Sequence, residues 1–165
     1  MVNKKSQSEL ISTVILILIS IAAAGLILSF VVPYIKNKLA GSDCTDIYGK
    51  VEIRESGYTC YDVVQQKMLV QVHVNDISDK LSGLVIEVGG ASSKSYTVTN
   101  GSDITSELSM YEGTKTKLEI PANTEERTYK ILTSRPASVK LYPKLKNGQT
   151  CDASSVINTI ESCSL

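Results

Sequence analysis

From Leu10 to Ile35 the chain reads LISTVILILISIAAAGLILSFVVPYI, 26 residues without a charged side chain, bounded by Glu9 and Lys36. As a helix rising 1.5 Å per residue this run spans about 39 Å, against roughly 30 Å of bilayer hydrocarbon. Sixteen of the 26 are Leu, Ile, Val or Phe. Each favours insertion by roughly 0.3 to 0.6 kcal/mol, so the run contributes about 5 to 10 kcal/mol before small polar penalties. A soluble core helix that is apolar all round needs partners on every side. The rest of this chain is too short and too polar to supply them, so a membrane-inserting helix is the expectation.

With 165 residues, the chain holds one domain, or one domain plus an appendage. Lys and Arg number 17, Asp and Glu number 17, and there is one His. This balance leaves no basic field to gather phosphate backbones, so no nucleic-acid partner is expected. Cys44, Cys60, Cys151 and Cys163 all follow the apolar run and include no CxxC pair. Disulfides in an oxidising space fit this pattern better than a zinc site. Lys4 and Lys5 before the helix are matched by Lys36 and Lys38 after it, so the cysteines rather than the basic residues orient the chain. An Asn-Gly-Ser sequon at Asn100 points to the same extracellular side and marks a possible glycosylation site. Four cysteines allow three pairings. The expectation is local pairing, Cys44 with Cys60 and Cys151 with Cys163, which closes loops of 17 and 13 residues. Either bond would contribute about 3 kcal/mol in the chain-entropy model.

The residues before the helix do not form an ordinary secretory signal, whose apolar core is about 7 to 15 residues long. Lys4-Lys5-Ser6-Gln7-Ser8-Glu9-Leu10 sets basic residues, a small residue and an acid directly against the apolar run. This arrangement resembles the class III signal of archaeal type IV pilins and archaellins. The resemblance covers about the first 35 residues. It implies a membrane peptidase that cuts on the cytoplasmic side after a small residue preceded by a charged one, leaving the apolar helix on the mature subunit. Lys5 would be the charged position, Ser6 the residue before the cut and Gln7 the new N-terminus. Glu9 would then be mature position three, where the family often has its acid at position five. Cleavage would remove Lys4 and Lys5, leaving 15 basic and 17 acidic residues and a formal charge near −2.

Within the helix, Ser20 and Ala24 are four residues apart, as are Gly25 and Ser29. Such small-xxx-small pairs permit close helix packing. Pro33 has no N–H for the Ser29 carbonyl, which predicts a bend, followed by a last helical turn or two to about Leu39 and a stop at Gly41-Ser42. The mature α-amino group at Gln7 and the Glu9 carboxylate of a neighbouring subunit would form a charge pair that sets register in an assembly.

Beyond Asp43 the periodicity changes to two. Met68, Val70, Val72 and Val74 alternate with Leu69, Gln71, His73 and Asn75, Leu84, Ile86 and Val88 with Val85 and Glu87, and Leu118 and Ile120 with Lys117 and Glu119. Further strands are expected at 47–54, 58–64, 94–99, 127–133 and 138–142, for seven or eight in all. Turn residues between them suit a two-sheet sandwich. The fold expected is therefore α+β, a long N-terminal hydrophobic helix followed by an immunoglobulin-like antiparallel β-sandwich. Its parts are a leader at 1–6, a polymerisation helix at 7–41 and an extracellular domain at 42–165.

No chemistry-bearing motif emerges. The sequence has no GxSxG elbow, HExxH, P-loop or GxGxxG. His73 alternates to the outer face of a strand, and Asp43, Asp46, Asp76, Asp79 and Asp103 do not follow EF-hand spacing. Neither an enzyme nor a cofactor nor a metal is expected. A filament subunit is the expectation, with copies of itself, a prepilin peptidase and the pilus assembly machinery as partners, and adhesion as its role. A membrane-anchored adhesion module that never polymerises is the competing class and would keep Met1 to Ser6.

Overall fold

The computed structural model describes residues 4–35, 44–55, 57–90 and 92–164, with the side chains of 4–12 excepted. The chain divides into two units, Met1–Ser42 and Asp43–Leu165.

The first unit is the helix α1, Lys4–Leu26, continued by a wider π-helical turn over Ile27–Val31 and helical again to Ile35. Val32 donates its N–H to the Ile27 carbonyl, five residues back. Pro33 cannot supply the donor that the Ser29 carbonyl would receive in a regular helix. The irregularity expected at Pro33 thus falls in the turn before it, where a π turn changes the pairing register. The expected end near Leu39 to Ser42 lies outside the described residues.

Among the described residues the second unit holds nine strands. They are β1 Val51–Ile53, β2 Cys60–Asp62, β3 Lys67–Val74, β4 Leu81–Gly89, β5 Lys94–Val98, β6 Leu108–Met110, β7 Glu125–Leu132, β8 Ser138–Leu145 and β9 Ser155–Ile157. One antiparallel sheet has the order β1-β3-β7-β6, with β2 on the same edge of β3 as β1; the other has the order β5-β4-β8-β9. Val51 to Ile53 pair with Val74 to Val72, and Cys60 to Asp62 pair with Leu69 to Lys67. The segment between β1 and β2 leaves the ladder and returns to it. Alternation decides which side chains enter the core. Met68, Val70, Val72 and Val74 of β3, Leu84, Ile86 and Val88 of β4, and Leu141 of β8 join one apolar cluster drawn from both sheets.

The β2–β3 connection is fixed by Asp62, whose Oδ1 accepts the N–H groups of Val64 at 2.9 Å and Gln65 at 3.0 Å. The bond from Gln65 leads the effects that hold the Asp62 carboxyl below its ordinary range. The expected strand at Leu118–Ile120 is corrected. Leu118 and Ile120 are buried, as alternation requires, but they lie on an irregular segment. It is held by Gly101 N–H to Leu118 O at 2.9 Å and Leu118 N–H to Ser102 O at 2.8 Å, and Pro121 follows it. Tyr129, fully buried on β7, donates its hydroxyl to Glu119 O at 2.7 Å and fastens this segment to the sheet. Residues 46–50 form turns rather than the start of a strand. The three-residue strands β6 and β9 are too short for periodicity to signal.

Both disulfides differ from the local pairing expected. Cys44 bonds Cys151 and Cys60 bonds Cys163, with Cα atoms 5.5 Å and 5.0 Å apart. The reason is topological. Hairpin pairing places Leu69 opposite Cys60, while the C-terminal segment runs parallel to β2, Tyr61 N–H reaching Glu161 O at 2.8 Å and Cys163 N–H reaching Tyr61 O at 3.0 Å. The beginning and end of the domain therefore lie side by side.

Because the bonds interlock, the second bond to form closes a much shorter effective loop than the first. Cys44 to Cys60 is 16 residues and Cys151 to Cys163 is 12, so each bond closes a ring of about 28 residues through its partner and contributes about 3.6 kcal/mol by chain entropy. Replacing either pair by Ser lowers unfolding stability by roughly 3 to 4 kcal/mol, as read from denaturant melts of the full chain. Replacing both lowers it by about 8 kcal/mol, since the first bond alone closes a loop of about 107 residues.

Tyr129→Phe lowers stability by about 1 to 2 kcal/mol at neutral pH, because the buried Glu119 carbonyl loses its donor. Burial pushes the Tyr129 phenol above its ordinary 10.0, and Tyr96 and Tyr142 move in the same direction. Above pH 10 the unfolded chain releases phenolic protons that the folded state keeps, so stability falls as pH rises. Melts in alkaline buffer fall less steeply for Tyr129→Phe than for the parent.

Candidate assembly site

Among the described residues the apolar helix carries a long run of exposed large hydrophobic side chains. Residues Thr13 to Ile35 form a span of membrane length and composition, none of it fully buried. Its polar atoms are satisfied from within. The Ser20 hydroxyl donates to Leu16 O at 2.7 Å, and the Ser29 hydroxyl donates to Gly25 O at 2.8 Å. Back-bonding of this kind lets a serine sit in hydrocarbon without a free donor.

The four small residues named from sequence fall on two faces rather than one. Five residues separate Ser20 from Gly25, a rotation of about 140° at 100° per residue. Ser20 with Ala24 marks one face, and Gly25 with Ser29 the other. A Cβ added at Gly25 would meet nothing within 4 Å, so no contact within the described helix requires its smallness. A helix with two close-approach faces can contact neighbours on more than one side.

Ser6, Gln7 and Glu9 lie on the α1 backbone, and their side chains lie outside the described residues. Asn100 is exposed at the turn after β5, where its Oδ1 accepts the Ile120 N–H at 2.6 Å. His73 sits on the outer face of β3, as alternation requires. Its side chain is largely covered, with Nδ1 3.6 Å from Glu126 Oε1. The aspartates are dispersed: Asp46 pairs with Lys80 and Asp103 with Lys117, and among the described residues no group of three His, Cys, Asp or Glu could hold a metal ion. Asp43 lies outside the described residues.

The tyrosines, which look evenly scattered in sequence, sort by environment. Tyr61, Tyr96 and Tyr129 are core residues, and Tyr142 hydrogen-bonds Glu87 at 3.1 Å. Tyr48, Tyr58 and Tyr111 are exposed. The meeting of Tyr58 with Tyr111 across 53 residues of chain has no local sequence signal.

Replacing Ala24 and Gly25 together by Leu leaves the protein in the membrane fraction, because apolarity is kept. It lowers helix self-association at least fivefold, read as energy transfer between labelled copies in micelles. Comparison with known proteins assigns no family: no protein-family model matches the chain, and no curated protein is significantly similar to it.

Proposed function

We propose that this protein is a structural subunit of an archaeal type IV-like surface filament, assembling through its N-terminal helix and presenting its disulfide-bonded domain to the medium for adhesion. The observation that carries the reading is a helix of membrane length that is apolar around its circumference, with none of its span buried, directly preceded by Lys5-Ser6-Gln7-Ser8-Glu9. In the membrane that circumference faces lipid. In a filament core it faces the helices of neighbouring copies, and the two small-residue faces allow close contact.

The domain suits exposure to an oxidising medium, with all four cysteines bonded. An immunoglobulin-like sandwich is supported by strand order. Taking β1 with β2 as strand A and numbering onward, β1-β3-β7-β6 reads A-B-E-D and β5-β4-β8-β9 reads C′-C-F-G. The role is structural and adhesive rather than catalytic.

Mass spectrometry of the N-terminal peptide, with electron microscopy of sheared surface material, tests the reading. The expected result is a chain that starts at Gln7 and is found in filaments. A chain that keeps Met1 and is absent from filaments overturns it in favour of a non-polymerising anchored module. Glu9→Gln should stay in the membrane fraction but enter filaments in reduced number or length, because insertion rests on the apolar run whereas register rests on the charge pair with a neighbour's α-amino group.

A further inference from the structure

Between β1 and β2 the chain leaves the sheet and carries Tyr58 over its outer face. Gly57, at φ 101°, makes the turn, and a Cβ there would stand 3.0 Å from Gln71 Oε1. That oxygen accepts the Tyr58 N–H at 3.3 Å. Tyr111, directly after β6, donates its N–H to Thr128 O at 2.9 Å. The two rings meet with centroids 5.4 Å apart and planes inclined by 43°. Tyr58 is 42% exposed and Tyr111 37%, so each keeps ring surface toward solvent. Among the described residues, neither phenol oxygen has a hydrogen-bond partner.

Behind the rings Glu126 is held in place. Its Oε2 accepts Gln71 Nε2 at 2.6 Å, and its Oε1 accepts Arg54 Nε at 3.0 Å. The cleft so formed has a volume of about 340 Å³, and Glu112, Arg127 and Thr128 add polar groups to its wall. This volume is near the lower end for small-molecule sites, roughly 300 to 1,000 Å³.

We infer that this cleft binds a neutral hexopyranoside. A sugar ring has C–H faces that pack on aromatic rings and a rim of hydroxyls that both donate and accept. The cleft offers the matching pair, two inclined rings and a wall of carboxylate, carboxamide and hydroxyl groups from Glu126, Gln71 and Thr128. Met110 is its one aliphatic lining residue, so an acyl chain or apolar peptide would bury little against it. Glu112 disfavours phosphate and uronate groups, and the nearby cation Arg54 is already paired with Glu126. The proposal goes beyond filament assembly, because it concerns the outer face of one domain and holds for a dispersed subunit as for a polymer.

Saturation-transfer NMR on the full chain tests it, in an amine-oxide detergent so that no glycoside is present in the buffer. The probes are methyl α-mannopyranoside, methyl β-glucopyranoside and chitotriose, with glucuronate and a tetraproline peptide as competitors. At least one neutral probe should saturate in the millimolar range. Tyr58→Ala and Tyr111→Ala should each weaken it at least tenfold, whereas Tyr58→Phe and Tyr111→Phe, which keep the rings, should stay within about threefold. Circular dichroism confirms that each variant is folded. The proposal fails if no neutral probe saturates below about 50 mM, if binding survives both alanine substitutions, or if glucuronate or the peptide binds more tightly than every neutral probe. Because dispersed subunits are measured, the absence of filaments would not affect this result, and its failure would not affect assembly.

Discussion

An apolar helix of membrane length, with none of its span buried, sets the terms for everything else in this protein. Burial of apolar surface is the main favourable term in folding, yet this helix has none of its span buried. The second unit consequently has to be stable by itself, with about 120 residues, two sheets and one core. Two interlocked disulfides supply part of that stability by restricting the unfolded chain.

The sequence made the helix legible because insertion depends on a sum over many residues, which no single tertiary contact can reverse. Strands β3, β4, β7 and β8 were legible for a similar reason: each has at least eight residues, enough alternation to reveal a buried face. The segment at Leu118–Ile120 has the same alternation without a strand. Burial there is set by contact with β7 through Tyr129, and alternation reports burial rather than hydrogen-bond pairing. The cysteines show the limit more sharply. Loop entropy depends on separation along the chain, and it favours short loops only where the fold leaves both choices open. Here the parallel approach of the C-terminal segment to β2 removes the choice.

The outer face of the β1–β3–β7–β6 sheet illustrates a different kind of opacity. Arg54, Gln71, His73 and Glu126 come from three strands or their ends, and register alone brings them together, with His73 opposite Glu126 and Gln71 opposite Thr128. Nothing in the local composition of any one strand marks them as a set. Gly57 is the exception that a sequence reading can partly see, since its left-handed conformation and its close approach to Gln71 both exclude a side chain.

The bond between Cys44 and Cys151 also determines how the domain carries tension. A pull arriving through the helix enters the domain at Cys44. Without the bond, a load held at Tyr111 would travel along one path, the 67 residues from Cys44 to Tyr111. With it, a second path of 40 residues runs back from Cys151 to the same point, and the two act in parallel. Even with every strand stripped away, the shorter path limits separation of the two points to about 140 Å, against about 235 Å for the longer one at roughly 3.5 Å per residue. A domain built this way shares force between two strands of backbone and has a covalent limit to its extension.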